Sequence, residues 1–145
     1  MYHRILVPLE HSDADDTILP YVTALAKFSG ARLVLIHVAD GWVARNIEPL
    51  ELRESEEMRD DRHYLEEVAA RLRADGLGVD AVLAAGEPAA ELAAAAEREG
   101  CDLIAMATHG HRGLQDVVRG TVASELRHRT FVPVLMVRMP RRADA

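Results

Sequence analysis

Residues 32–38 read Arg32-Leu33-Val34-Leu35-Ile36-His37-Val38, a nearly unbroken apolar run between Gly30 and Gly41. Such a run, without regular alternation of polar side chains, is typical of a strand that is covered on both faces of a parallel sheet. Shorter runs of the same kind predict four further strands: Ile5–Leu9, Val79–Leu83, Leu103–Met106 and Val134–Val137.

Segments with helical periodicity separate these runs. Ser12 can cap a first helix that Gly30 ends, and Pro20 within it predicts either a kink or a later helix start near Thr17. Further helices are expected at residues 52–75, 88–99 and 121–129, with a loop at residues 39–52. Strands that alternate with helices are typical of βαβ units. We therefore expect a single domain over residues 1–145, a five-stranded parallel sheet in a doubly wound α/β/α sandwich, with a frayed tail at residues 140–145.

The composition is that of an ordinary globular domain, with 145 residues, 49% hydrophobic and 28% charged. The net charge of −7 divides into −11 over residues 1–106 and +4 over residues 107–145. An acidic chain argues against extended nucleic-acid binding, which needs a basic face. The single cysteine, Cys101, excludes an internal disulfide and a cysteine-cluster zinc site, and it fits a reducing compartment. With no secretory signal and no apolar run of about 20 residues, a cytoplasmic protein outside the membrane is expected.

A glycine-rich segment follows the fourth predicted strand, at an end of the sheet where doubly wound folds bind ligands. Gly110 and Gly113 allow successive backbone amides to face one concavity, which is an anion-binding arrangement. Gly120-Thr121 opens a helix whose N-terminus favours a phosphate, and Arg112 and Arg119 add positive charge. The alternative is equally open from the residues alone: glycines that only form turns, and a threonine that only caps a helix.

Ala107-x2-Gly110-x9-Gly120-Thr121 resembles the Gly-x2-Gly-x9-Gly-Ser/Thr nucleotide motif of the universal stress protein family, in its ATP-binding branch. The similarity extends along the chain, to Ile5–Pro8, Leu35–Val38, Gly86–Pro88, Cys101–Ile104 and Val132–Val137. The resemblance implies the strand order 3-2-1-4-5 and ATP in the cleft, with Mg²⁺ held mainly by the phosphates. It also implies a nucleotide-responsive homodimer, paired through strand five at Val134 to Arg138.

The family motif implies positions for the nucleotide in this sequence. The phosphates and ribose would lie against Gly110, Gly120, Thr121 and Val122, with His111, Arg112 and Gly113 alongside. The adenine would lie between Pro8, Leu9 and Glu10 at the end of the first strand and the backbone of Val38. Two residues depart from the family pattern: Ala107 stands where the first motif glycine is expected, and Glu10 stands where the family often has aspartate.

Two other functions stay open. One is a dimer of the same fold that binds no nucleotide and acts by interaction. The other is slow ATP hydrolysis, for which Glu10 and His109 are the testable general bases, although no catalytic residue is assigned.

Other kinds of site fit less well. His109 and His111 form a pair without a third ligand, which does not define a zinc site. A phosphoacceptor receiver domain needs an aspartate after the third strand and a lysine after the fifth, where this chain has Ala84 and Arg138. His37, in the second predicted strand, is expected to be a hydrogen-bonded core histidine. Cys101, before the fourth predicted strand, is expected to be a structural thiol.

Overall fold

The computed structural model describes residues 1–40, 56–108 and 122–140. In the part of the chain so described, five parallel strands form one sheet in the order β3-β2-β1-β4-β5. The strands are β1 (Arg4–Pro8), β2 (Arg32–Asp40), β3 (Val79–Gly86), β4 (Leu103–Thr108) and β5 (Val134–Arg138). The helices are α1 (Asp15–Ser29), α2 (Glu56–Ala74), α3 (Pro88–Arg98) and α4 (residues 122–129). The expected fold class and strand order are confirmed.

The central strands are apolar on both faces because helices cover the sheet from both sides. Successive side chains in the middle of β1 and β2 enter two separate clusters, and those at residues 5–7 and 33–36 are 0% exposed. Ile5, Leu33 and Leu35 join α1 and α2 in one cluster. Leu6, Val34 and Ile36 join α3 and α4 in the other. This two-sided burial is the physical reason for the continuous apolar run at residues 32–38.

Strands β2 and β3 are longer than the apolar runs predict. They pair over eight residues, from Leu33 opposite Val79 to Asp40 opposite Gly86. The predicted loop at residues 39–52 is therefore wrong at residues 39 and 40, and β3 extends three residues beyond Leu83. Each strand supplies the hydrogen-bonding partner of the other, so the ladder continues through alanines that have no strong strand preference of their own. As a result, β2 extends well past the end of β1.

Helix α1 begins later than a Ser12 cap requires. Its N-cap residue is Ala14, with no side-chain cap, and the Ser12 hydroxyl instead accepts a hydrogen bond from the Ala14 amide at 3.3 Å. Pro20 lies within the helix, well past its first turn, so the start near Thr17 is also wrong. Gly30 ends the helix in the left-handed conformation at φ 75°, as predicted. The Asp15 carboxylate at the helix start accepts hydrogen bonds from amides of the preceding turn.

Helix α3 begins as its sequence predicts, with Pro88 in the first turn and the Glu87 carboxylate accepting a hydrogen bond from the Ala90 amide at 2.9 Å. None of the described helices is long and apolar enough to cross a membrane. Strand β5 is the last strand of the sheet and pairs with β4 from Val134 to Arg138. In the described part of the chain, no strand pairs with the other side of β5, which is therefore an edge of the sheet.

Candidate functional site

The strand order of the sheet reverses between β1 and β4. In the sheet, β2 lies beside β1 on one side and β5 lies beside β4 on the other, so the connections that follow β1 and β4 run in opposite directions. Such a reversal separates the two connections and leaves room for a ligand above the strand ends. Strand β1 ends at Pro8 and β4 ends at Thr108. These are the two strand ends at which the sequence predicts the site.

Strand β2 carries its backbone past the end of β1. Pro8, the last residue of β1, pairs with Ile36, and the Leu9 amide donates to the Ile36 carbonyl at 2.7 Å. Backbone groups of every second residue point to the same side of a strand. The N–H and C=O of Val38 therefore point to the side of β1, beyond its last residue. Val38 is thus placed to offer a peptide edge to a ligand.

The other residues predicted on this side lie in the turn after β1. Leu9 is buried at 3% exposure, whereas Pro8 and Glu10 are half-buried. The Glu10 carboxylate accepts a hydrogen bond from the Ser12 hydroxyl at 3.4 Å. The structure therefore brings Pro8, Leu9, Glu10 and Val38 to one end of the sheet.

Ala107 lies within strand β4, whereas the sequence predicts that it lies in the loop after that strand. It is the fifth residue of β4, paired with Val137, and only 5% exposed. Its side chain belongs to the core cluster beneath α1 and α2. Strand β4 continues to Thr108 because β5 supplies a partner for it. The methyl group at this departure from the family motif consequently packs in the protein core.

Most of the predicted phosphate side lies outside the described residues. This applies to His109, Gly110, His111, Arg112, Gly113, Gly120 and Thr121. Val122 is described, half-buried in α4, and packs against the core cluster beneath α3 and α4. Among the residues that the structure describes, no three His, Cys, Asp or Glu side chains are grouped so as to hold a metal ion.

Asp15 holds the turn that follows β1. It is 1% exposed, and its two carboxylate oxygens accept hydrogen bonds from the amides of Glu10 and His11, each at 2.9 Å. The Tyr64 hydroxyl donates a third hydrogen bond at 2.6 Å. Burial raises the pKa of Asp15, and the hydrogen bonds from Tyr64 and the turn oppose that rise. The same burial and the bond to Asp15 raise the pKa of Tyr64.

Asp61 of α2 binds two histidines of the same region. Its Oδ1 lies 2.9 Å from His11 Nδ1, and its Oδ2 lies 3.1 Å from His37 Nε2. The other ring nitrogen of His37, Nδ1, lies 2.9 Å from the Leu9 carbonyl oxygen. His37 is hydrogen-bonded, as predicted, and its partners are Asp61 of α2 and the Leu9 carbonyl after β1. The His11 ring stacks on Tyr64 with centroids 4.1 Å apart.

Similarity to known proteins identifies the family of this chain. The sequence profile of the universal stress protein family matches residues 1–138. The chain belongs to this family. Universal stress protein MJ0577 of Methanocaldococcus jannaschii is 24% identical over 155 residues, which cover 95% of this chain and 96% of that protein. Universal stress protein YxiE of Bacillus subtilis is 28% identical over 153 residues, which cover 95% of this chain and 100% of that protein.

Solved structures show the same fold. The structure of MJ0577 superposes with a TM-score of 0.81 at 26% identity, covering 98% of this chain and 99% of that one. A universal stress protein from Archaeoglobus fulgidus in complex with dAMP superposes with a TM-score of 0.69 at 17% identity. That match covers 94% of this chain and 98% of the other. The family resemblance drawn from the sequence is confirmed.

Sequence reasoning missed the polar cluster in this universal stress protein. Asp15 and Tyr64 are 49 residues apart, and His11 and Asp61 are 50 apart, so no local motif connects them. One signal was present. Asp61 shares the helical spacing of the buried residues Leu65 and Val68 on α2, which places a carboxylate on an apolar stripe. A charged residue at such a position is seldom buried without a partner.

Proposed function

We propose that this universal stress protein binds ATP, accompanied by Mg²⁺, in the crevice between the ends of β1 and β4. The observation that carries the proposal is the position of the motif residues. Ala107 lies just before the end of β4, and Val122, which follows Thr121, lies in α4. The segment with the nucleotide-motif spacing therefore leaves the sheet where its strand order reverses.

The adenine side of the proposal rests on backbone geometry. Val38 directs its N–H and C=O past the end of β1, and a donor beside an acceptor suits the edge of a purine base. The apolar side chains of Leu9 and Val38 and the ring of Pro8 would border the base. A universal stress protein of the same fold has been solved in complex with dAMP, which also carries an adenine.

The phosphate side rests on sequence and helix direction. The N-terminal end of α4 follows Gly120-Thr121, so the positive end of its dipole and its first amides would face the phosphates. The chain carries net +4 after residue 106 in an otherwise acidic protein, which favours a bound polyanion there. Mg²⁺ would be held mainly by phosphate oxygens and water.

Titration calorimetry with ATP and Mg²⁺ tests this assignment. Gly120→Val adds a side chain where the backbone would approach a phosphate, and Thr121→Ala removes a hydroxyl. We expect the first variant to weaken binding by at least about tenfold and the second by about threefold to tenfold. Thr23→Ala, in a groove between α1 and α2, is the matched control and should bind as the wild type does. No heat of binding at millimolar ATP would contradict the proposal.

We further propose that the protein acts as a cytoplasmic, nucleotide-responsive homodimer through β5. Exposed backbone groups of an edge strand are normally paired or covered. Met136 is 46% exposed at this edge, and Phe131 just before the strand is fully exposed. Because the Ile104 amide bonds the Pro133 carbonyl and the Met139 amide bonds the Thr108 carbonyl, the odd-numbered residues of β5 face β4. The Met136 amide therefore points to the free edge.

Light scattering at micromolar concentration should give about 32 kDa, twice the 16.0 kDa of the chain. Met136→Pro removes an amide on the outer edge and should yield a folded monomer, since the ladder with β4 keeps its donors. Leu135→Pro removes a donor facing β4 and should reduce stability instead. A wild-type monomer would contradict the dimer.

A further inference from the structure

The proposed nucleotide site does not account for the polar cluster beneath its adenine side. We call this the clamp, and it consists of His11, Asp15, His37, Asp61 and Tyr64. The clamp joins α1, α2 and β2 to the turn after β1. Asp15 and Asp61 are the two buried charged residues of the described chain, at 1% and 7% exposure, and both belong to it. Two buried carboxylates are costly to maintain unless each is well bonded.

Both ring nitrogens of His37 face oxygen atoms of the clamp. A carbonyl oxygen can only accept, so Nδ1, at 2.9 Å from the Leu9 oxygen, must carry a hydrogen. Nε2 then faces Asp61 Oδ2 at 3.1 Å, and a bond forms there only if one of these two atoms is protonated. The pair therefore contains one proton more than a neutral imidazole beside an ionised carboxylate. The His37 side chain is 15% exposed and that of Asp61 is 9% exposed, so water cannot readily replace this bond.

The clamp fixes the backbone of residues 9–11 from three directions. His37 binds the Leu9 carbonyl, and Asp15 binds the amides of Glu10 and His11. Asp61 holds the His11 ring, which also stacks on Tyr64. His11 has a φ of 61°, a left-handed conformation that is uncommon outside glycine. Such a conformation persists where surrounding contacts impose it.

We propose that Asp61 is a positioning residue for the adenine side of the site, acting through His37 and His11, and that its grip requires the proton it shares with His37. This rests on the proposed nucleotide binding. When the proton leaves, Nε2 and Asp61 each present a lone pair to the other, and the bond is lost. The Leu9 carbonyl and the turn are then held less firmly, so nucleotide affinity falls as the pH rises.

The groups around His37 determine the direction of this effect. Asp61 of α2 contacts it, and Asp15 of α1, which Tyr64 bonds, interacts with it electrostatically. His11 and Glu10 lie in the turn. Its neighbour in β3 is Leu83, which does not titrate. Acidic groups predominate around the ring, and the electrostatic interaction with His37 lowers the pKa of Asp15 against the effect of burial.

Nuclear magnetic resonance of the histidine ring nitrogens and the Asp61 carboxyl carbon tests the shared proton without any nucleotide. At neutral pH we expect either both His37 nitrogens protonated beside an ionised Asp61, or a neutral His37 beside a protonated Asp61. A neutral His37 beside an ionised Asp61 would overturn the proposal.

ATP affinity measured between about pH 6 and pH 9 tests the positioning role. For the wild type we expect affinity to fall with rising pH. Asp61→Asn should weaken binding about tenfold at the lower end and flatten the profile. Asp60→Asn is the matched control, since Asp60 is the exposed neighbour on α2, and it should keep the wild-type profile. His37→Gln keeps a donor for Leu9 without a titrating ring, and should bind with little dependence on pH.

The outcomes separate the two proposals. Circular dichroism first establishes that each variant is folded. If the wild type binds no ATP at any pH, the nucleotide function fails and the positioning role fails with it. If the wild type binds ATP but Asp61→Asn matches it in affinity and pH profile, only the positioning role is refuted.

Discussion

Replacing Asp15 with alanine should lower the free energy of unfolding by more than the position of Asp15 at a helix start suggests. An acidic residue in the first turn of a helix usually contributes only about 0.3–1 kcal/mol through the helix dipole. Asp15 is 1% exposed, however, and receives hydrogen bonds from two amides and the Tyr64 hydroxyl. Asp15→Ala removes the acceptor of all three.

The expected magnitude follows from these bonds. Each hydrogen bond to a charged acceptor contributes about 1.5–3 kcal/mol. Two terms reduce the total: the variant no longer buries a carboxylate, and the freed amides lie in a turn that water can reach. We expect a net loss of about 3 kcal/mol in the free energy of unfolding, the size found when one partner of a buried charged pair is removed. For a chain of this size the melting temperature should fall by about 10 °C.

Urea unfolding followed by circular dichroism measures the loss. Tyr64→Phe removes one of the three donors and should cost about 1 kcal/mol, because both amides keep their acceptor. Asp16→Ala is the matched control, since Asp16 is the exposed neighbour in the same helical turn, and should cost at most about 1 kcal/mol. If Asp15→Ala unfolds within about 0.5 kcal/mol of the wild type, the carboxylate does not hold the turn and the reasoning is refuted.

Three further predictions concern the rest of the fold. Burial raises the pKa of the Cys101 thiol to about 11, so native protein near pH 8 should react with iodoacetamide about a hundredfold more slowly than unfolded protein. The unfolded thiol ionises near its ordinary pKa of 9.0, so the free energy of unfolding should decline from there toward about pH 11, and less so in Cys101→Ala; equal slopes would contradict this. Leu126→Ala, at a side chain 0% exposed in α4, should cost about 2–5 kcal/mol in urea unfolding, against less than about 0.5 kcal/mol for the exposed Arg127→Ala. Glu87→Ala should cost about 1 kcal/mol by the same assay, because the Ala90 amide loses its cap; no change would show that water replaces the carboxylate.

The strands were predictable because burial on both faces leaves a direct record in sequence. The run at residues 32–38 contains one polar side chain inside the strand, His37, and that side chain finds its partners where the strand emerges above β1. The ends of β2 and β3 were not predictable in this way. They depend on each strand having the other as a partner as far as Asp40 and Gly86, which is a property of the sheet.

The start of α1 shows a local preference overruled by tertiary contacts. Ser12 is a favourable N-cap by residue type, yet Asp15 turns its carboxylate back to the amides of Glu10 and His11. Those bonds fix the turn, and the helix begins after it. No rule confined to residues 12–16 contains the Tyr64 hydroxyl that completes the arrangement.

The two halves of the candidate site differ in how far sequence predicts them. The glycine motif is local, so its spacing leads directly to the connection between β4 and α4. Ala107 is the exception, because only the pairing with β5 shows that it belongs to the strand and the core. The clamp connects residues about fifty positions apart and required the structure.

A crystal structure of the protein grown with millimolar ATP and Mg²⁺ tests the central claim most directly. We predict an adenine in the crevice between the ends of β1 and β4, its edge within hydrogen-bond distance of the Val38 backbone, and phosphates at Gly120-Thr121. Nucleotide bound elsewhere on the protein, or a crevice without nucleotide at saturating ATP, would contradict it.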